Sequence, residues 1–459
     1  MSYQAVVIGG GPGGYVAAIR LAQLGVKTIL VEREELGGEC TNWGCIPSKH
    51  LIGQAKKIWS IREMASKQLV QASVSVDMPR ICESTKLIIQ RLRQGIAYLL
   101  KANGVTIMKG EAVVPTPGRV LIRTSGVEHE IATQNIIIAT GTEPATLPAM
   151  PFDGKKIIDY RRALFLEQIP ENLLVVGGGA VGLELGTAYA HLGARVTIVE
   201  IMDQVLPGFD SDAARLIKRS LEKIGVKTYT KTTVSSYSYV GNRVEVVFSN
   251  GERGVYDFVL VSVGKRASSW TKNLVEIGVN VDEKGYIKTD GRMATSVKGI
   301  YAVGDVTGPP FLAHKAYRQG IVAAEAIAGM DTRFDGLVPY GVFTSPEVAF
   351  VGLSASAAKE MGYEVMEARF PYSALGRAIT DGEDGFVKLV AERKSGRLLG
   401  AVVVGPHATE TISAITNIIQ TGGTIEKASQ TIYIHPTYSE AVGEALHILD
   451  KRAIHYVTK

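Results

Sequence analysis

Cysteine is scarce in this chain, with three in 459 residues. That excludes a disulfide-stapled scaffold, and it makes thiols placed close together candidates for a bond that cycles rather than persists. No apolar stretch approaches the length of a membrane span, and the first strand pattern begins by Tyr3, leaving no room for a leader. The expectation is a cytoplasmic protein, or a mature form already processed, with no membrane attachment. An excess of one charge is also missing. The 50 basic and 45 acidic side chains leave a formal +5, with no long basic run to track a phosphate backbone, so nucleic acid is not an expected partner.

Glycine is plentiful, at 50 residues, in a chain that is otherwise ordinary at 46% hydrophobic and 21% charged. Such usage suggests tight turns and close approach of backbone to ligands. The length exceeds what one hydrophobic core supports and predicts about three compact units.

The glycines fall into a repeated pattern. Val6-Val7-Ile8-Gly9-Gly10-Gly11-Pro12-Gly13-Gly14 closes at Val31-Glu32, and Leu173-Leu174-Val175-Val176-Gly177-Gly178-Gly179-Ala180-Val181-Gly182 closes at Val199-Glu200. Eighteen positions separate Gly14 from Glu32 and, equally, Gly182 from Glu200, with a helical apolar pattern and a β-branched strand between. One glycine triplet alone is a weak signal, but strand, helix and terminal acid are all in place twice, which predicts two βαβ dinucleotide sites. Gly9 and Gly177 are expected to make the turn, Gly11 and Gly179 to let backbone approach a pyrophosphate, and Gly14 and Gly182 to allow close helix packing. Glu32 and Glu200 would receive ribose hydroxyls. Ile201, Met202 and Asp203 follow Glu200, so no cation is near to accept a 2′-phosphate, and the second site is expected to prefer NAD over NADP.

Just after the first module lie Cys40 and Cys45, in Gly37-Gly38-Glu39-Cys40-Thr41-Asn42-Trp43-Gly44-Cys45-Ile46-Pro47-Ser48-Lys49. Residues five apart on a straight helix have Cα atoms roughly 8.7 Å apart, out of disulfide range. Pro47 suits a first helical turn, which places Cys45 at a helix entrance, where thiolate is favoured, and Cys40 in an irregular segment before it. A structural disulfide or two unrelated buried thiols would be the bland alternative; the surrounding glycines and Lys49 favour redox chemistry beside a flavin. Cys82, in a helical pattern, is expected to be an inert thiol.

Further along, Ile136-Ile137-Ile138-Ala139-Thr140-Gly141 and Val259-Leu260-Val261-Ser262-Val263-Gly264 read as strands returning the chain from one unit to another. Gly299-Ile300-Tyr301-Ala302-Val303-Gly304-Asp305 brings an acid to a strand's carboxyl end, where a cofactor hydroxyl or only a helix cap would meet it. Beyond Asp335, strands at about 386–391 and 397–404 and a helix at about 409–421 mark a separate α+β unit. The expected fold is α/β, with two Rossmann-like domains and a C-terminal α+β domain, divided as 1–148, 149–267, 268–335 (returning to the first) and 336–459.

With Cys40 through Lys49, Gly177 through Gly186, Gly304-Asp305, Leu312-Ala313-His314-Lys315-Ala316 and His435-Pro436-Thr437-Tyr438-Ser439-Glu440 in view, the chain resembles the pyridine nucleotide-disulfide oxidoreductases over essentially its whole length. The resemblance implies FAD in the first module, NAD in the second, and a last domain that forms a homodimer and lends a histidine to its neighbour's site. It implies that Cys45 touches the flavin, that Cys40 exchanges with a dithiol, and that His435 is the base, oriented by Glu440. Lys49 is expected near the flavin ring, paired with Glu184. Ala112, Thr140, Gly141, Asp305, Ala313 and Gly264 join the cofactor-binding set.

The activity so implied is oxidation of dihydrolipoamide to lipoamide with reduction of NAD. The dithiol would be free, or carried on the lipoyl domain of a 2-oxo acid dehydrogenase or glycine cleavage complex. The alternatives are an NAD(P)H-dependent reductase of another small disulfide and a non-catalytic flavin-binding subunit. The chain departs from the commoner pattern at Glu39, where threonine is usual, at Trp43, where a small apolar residue is usual, and at Tyr433, where a further histidine is frequent. Ala180 stands where some relatives carry a bulky residue.

Overall fold

The computed structural model describes residues 3–268 and 270–457. The first glycine signature lies between the strand Tyr3–Ile8 and the helix Pro12–Gln23, and the chain returns in the strand Thr28–Glu32. These strands, rich in β-branched residues, are buried on both faces, as a parallel sheet with helical cover requires. Thr106–Lys109 extends the sheet on one side, and Val127–Ile138 on the other. That twelve-residue strand does two jobs. Its first half runs antiparallel to Arg119–Thr124, while Ile136 to Ile138 run parallel to both Tyr3–Ile8 and Ile300–Ala302.

The second signature repeats the arrangement with Asn172–Val176, Ala180–Leu192 and Arg195–Val199. The sheet runs Lys227–Tyr229, Arg195–Val199, Asn172–Val176, Phe258–Val261, Ile157–Ile158, all parallel. The two crossings between modules sit together, since Thr142–Pro144 and Lys265–Ala267 pair antiparallel just beyond Gly141 and Gly264. The C-terminal unit is a five-stranded antiparallel sheet of Tyr340–Val342, Glu347–Gly352, Leu398–Gly405, Phe386–Glu392 and Val365–Pro371. The helices Ala408–Gln420 and Glu440–Leu449 bury one face each against it. The first of these lies within a residue of the segment expected from sequence.

Backbone geometry explains the glycines. Gly9 and Gly177 have φ of +105° and +110°, which L side chains rarely adopt. A Cβ at Gly14 would stand 1.8 Å from the Gly9 carbonyl oxygen, and one at Gly182 would stand 2.1 Å from that of Gly177, so each helix crosses its strand at backbone contact. At Gly179 a Cβ would meet nothing within 4 Å. Gly182→Ala is therefore expected to cost about 2 kcal/mol, in the range for overpacking, and to lower Tm. Gly179→Ala should leave Tm nearly unchanged while weakening nucleotide binding. Differential scanning fluorimetry with and without NAD checks the contrast, and equal Tm losses in the two variants would refute it.

Candidate active site

Gly44, with φ −129° and ψ −107°, separates a short helix, Gly38–Trp43, from a long one, Cys45–Ser66. Cys45 thus opens the long helix, as Pro47 suggested. Cys40, expected in irregular chain, instead lies within the short helix. Gly37 at φ +92° launches that helix, and the Asn42 amide holds it by donating to the Leu36 and Gly38 carbonyls at 3.1 and 2.7 Å. The kink at Gly44 brings the two sulfurs together where a straight helix would hold them apart.

Both cysteines are free thiols in this structure. They are not equivalent. The Cys45 thiol is pulled down to about 7, by the hydrogen bond it receives from Cys40 and by the charge of Lys49, against an opposing cost of burial. The same hydrogen bond, together with burial, pushes the Cys40 thiol far up, because it must keep its proton to donate. Cys82 is buried at 3% exposure on the helix Met78–Ala102, with its thiol directed at the Leu166 carbonyl.

The pair opens on a cleft. Gly9, Gly11, Glu32, Ala112, Thr140 and Gly141 line it, and so do Asp305 and Ala313. Gly14 lies beneath the cleft, holding helix to strand. The residues suit an elongated dinucleotide. Gly11 caps the Pro12–Gln23 helix without a side-chain bond, leaving first-turn N–H groups free for a pyrophosphate, and Thr140 Oγ1 is buried with no partner among the described residues. Glu32 accepts from the Gly10 and Glu34 N–H groups at 2.6 and 2.7 Å. Glu200 does the same for Gly178 and Met202 at 2.6 and 2.9 Å. Each carboxylate oxygen keeps a lone pair for a ribose hydroxyl. Gly179 likewise leaves the Ala180–Leu192 helix start uncapped by any side chain, and Gly264, at φ +107°, ends the return of that module.

Lys49 Nζ is 2.8 Å from Glu184, whose side chain is 9% exposed, and lies 4.2 Å from the Phe343 ring centroid. The other Glu184 oxygen accepts from the Phe343 N–H at 3.0 Å. His435 and Glu440 are also joined, Nδ1 to Oε1 at 2.8 Å, and Glu440 Oε2 accepts from the Thr437 N–H at 2.7 Å. A carboxylate at Nδ1 requires a proton there, which leaves Nε2 as the basic nitrogen. This dyad is not among the residues lining the thiol cleft. It stands on an outward face with the His435 side chain 77% exposed, beside Ile432 at 96% and Ile434 at 77%.

Sequence reasoning missed Lys265 and Phe343. Lys265 follows Gly264 directly and lies in the cleft with Nζ 2.7 Å from Glu39 and 3.1 Å from Asp305; a cation at the end of an apolar strand was the available signal. Phe343 carries no local signal. Of the departures from the commoner pattern, Trp43 lies under the Arg161 guanidinium at 4.8 Å, and the Tyr433 ring fills the space beside Gly443, where a Cβ would meet it at 2.8 Å. No helix among the described residues is long and apolar enough to cross a membrane.

A fold with two dinucleotide modules, a thiol pair at the first and an antiparallel third unit defines a class of flavin- and nicotinamide-linked oxidoreductases. The family model for pyridine nucleotide-disulphide oxidoreductases matches residues 3–320, and that for the family's dimerisation domain matches residues 338–446. The chain belongs to this family. Among its relatives, the dihydrolipoyl dehydrogenase of Thermus scotoductus is 42% identical over all of both chains. That of Geobacillus stearothermophilus is 40% identical over 99% of this chain and 98% of its own. The solved structure of LpdA from Mycobacterium tuberculosis superposes with a TM-score of 0.90 at 30% identity, covering 97% of this chain and 99% of that one. The flavoprotein disulfide reductase RclA of Escherichia coli superposes at 0.86, with 26% identity over 97% of this chain and all of its own.

The unequal thiols give a direct test. In the reduced protein, alkylation of Cys45 by iodoacetamide should rise with a midpoint near pH 7, because the thiolate exists above that pH and is protonated below it, while Cys40 stays unmodified. In the FAD-loaded protein, Cys40→Ser should show a permanent long-wavelength band and Cys45→Ser none. The reverse pattern would exchange the two roles.

Proposed function

We propose that this chain works as a homodimeric enzyme that oxidises dihydrolipoamide to lipoamide and reduces NAD to NADH, with FAD between them. The observation that carries it is the asymmetric thiol pair inside a cleft lined by the first module's glycines. A reductase of another small disulfide is not favoured, given full-length dihydrolipoyl dehydrogenase relatives at about 40% identity. A flavin-binding subunit without chemistry would have no use for a thiol drawn down to about 7.

In this reading the FAD domain comprises 1–148 and 268–335, the NAD domain 149–267 and the interface domain 336–459. In the oxidised protein Cys40 and Cys45 are joined. One substrate sulfur attacks Cys40, and Cys45 departs as a thiolate. The second substrate sulfur then displaces Cys40, closing the lipoamide disulfide. The substrate loses two electrons and two protons. One proton stays on Cys40, one goes to His435 Nε2, and Cys45 is left anionic against Lys49 and the helix start. FAD, held along the first module, would supply the acceptor for the electron pair as the Cys40–Cys45 bond re-forms, and the pair together with the proton that Cys40 gives up would amount to the hydride that NAD at the second module accepts, the other proton leaving from His435. Glu440 holds His435 in the tautomer that leaves Nε2 basic. The exposed setting of His435 and its absence from its own chain's cleft support a site completed across a two-fold axis. The physiological dithiol is assigned to the lipoyl domain of a 2-oxo acid dehydrogenase or glycine cleavage complex. The setting is assigned to the cytoplasm, whose reducing conditions suit a cycling disulfide.

Two measurements test this. Steady-state kinetics should favour NAD over NADP by at least about tenfold in kcat/KM, or ~1.4 kcal/mol, because the phosphate would face Glu200; comparable efficiency would sink the assignment. Mixing a Cys45→Ser chain with a His435→Ala chain should restore activity after subunit exchange, since each heterodimer holds one intact composite site. Exchange without recovery would place His435 outside the mechanism or within its own chain's site.

A further inference from the structure

Beside the thiols lies a charge cluster in which Asp305 belongs to the cofactor-binding set while Lys265 and Glu39 have no task in the scheme above. Lys265 enters the cleft from the strand Lys265–Ala267 with its side chain 18% exposed, bonded to Glu39 at 2.7 Å and Asp305 at 3.1 Å. Glu39 is the residue before Cys40 on the Gly38–Trp43 helix, and it also faces Arg161 at 3.8 Å and the Tyr160 hydroxyl. Glu39, Lys265 and Cys45 line the same cleft.

Taking an ammonium out of water costs several kcal/mol unless it is paired. Burial does oppose the charge on Lys265, but Asp305 and Glu39 outweigh it, so the lysine is held protonated well above its usual range. This cation shares the cleft with the Cys45 sulfur and acts on it more weakly than Cys40, Lys49 and Glu184 do, and the Tyr317 hydroxyl also faces both thiols. Lys49 alone already supplies a cation from the thiol's own helix. A second one raises the question of how its strength is limited, and Glu39, the nearer of its two carboxylates, is placed to limit it.

We propose that Lys265 is a second cation, beside Lys49, that favours the anionic form of Cys45, and that Glu39 sets how much of that charge the sulfur feels. The inference rests on Cys45 being the flavin-side thiol. Its chemical sense follows from thiol reactivity: a thiolate gains abundance but loses donor strength as it is stabilised, and the best compromise lies near ambient pH. Glu39, by cancelling part of the Lys265 field, keeps Cys45 from being over-stabilised. Glu39 and Lys265 are in this account positioning residues, acting through charge rather than by touching substrate.

The test uses FAD-loaded protein in the Cys40→Ser background, where Cys45 cannot re-form a disulfide. The pH midpoint of Cys45 is read twice, by the rate of iodoacetamide alkylation mapped to its peptide and by the long-wavelength absorbance. Below the midpoint, adding Glu39→Gln should raise the alkylation rate about threefold and adding Lys265→Met should lower it about threefold, as expected for a change of one charge at moderate effective dielectric. Lys265→Arg should restore the parent midpoint. Glu39→Gln keeps size and Lys265→Arg keeps the charge, so the sign can be read from Glu39→Gln even if Lys265→Met fails to load FAD. Midpoints that do not move, or that move in one direction for both Glu39→Gln and Lys265→Met, overturn the proposal. A parent Cys40→Ser protein without the long-wavelength band would instead overturn the assignment of Cys45 to the flavin, and the alkylation midpoints would still decide the role of Lys265.

Discussion

The Glu184 carboxylate is the point at which the three units of this protein meet. One oxygen holds Lys49 at 2.8 Å, from the helix that Cys45 begins, and the other accepts the Phe343 N–H at 3.0 Å, from the edge of the C-terminal sheet. Glu184 itself rides on the helix that follows the second glycine signature. Glu184 is the buried partner and Lys49 the more exposed one, so losing Lys49 would leave a buried carboxylate without its counter-charge, whereas losing Glu184 would leave an ammonium that water still reaches. The Phe343 ring beneath the Lys49 ammonium adds a further contact of the same sign. The orientation of the thiol helix relative to the nicotinamide module therefore rests on hydrogen-bonded charge as well as on apolar packing.

Within that frame, the chemistry depends on a single break in a helix. Gly44 interrupts what would otherwise be a continuous run from Gly38 to Ser66, and the interruption does two things at once. It folds Cys40 back toward Cys45, and it makes Cys45 the first residue of a long helix, where the dipole and Lys49 favour an anion. The thiols then divide their labour by environment alone. Two identical side chains end with proton affinities driven in opposite directions, because one donates the hydrogen bond and the other receives it.

The two modules show how one backbone device serves two cofactor sites. In each, a left-handed glycine turns the strand into the helix, a second glycine leaves the helix start open, and a third lets helix and strand touch. In each, the terminal glutamate braces the turn by accepting the N–H of the residue after the first glycine, Gly10 or Gly178, at 2.6 Å. The acid thus helps to build the loop. The C-terminal unit has no such motif, and its contribution lies in presenting the His435–Glu440 dyad outward with exposed isoleucines around it.

Much of this was legible in the sequence because the signals are local. The turn, the helix start and the closing acid of each module lie within one βαβ unit, and steric limits at φ above zero force glycine at Gly9 and Gly177 whatever the rest of the chain does. The same holds for the helix entrance at Cys45, marked by Pro47. The conformation at Cys40 was misread, because a helix of six residues, Gly38–Trp43, depends on the Asn42 amide reaching back to Leu36 and Gly38, a contact that propensity does not encode. The Lys49–Glu184 pairing came only from likeness to a family, since 135 positions separate the two residues and no periodicity links them. Lys265 between Glu39 and Asp305, and Phe343 under Lys49, were decided by tertiary structure alone. Electrostatic and ring contacts act over a few ångströms of space regardless of chain distance, so residues that tune a site from other elements take their meaning only once the sheets and helices have been packed.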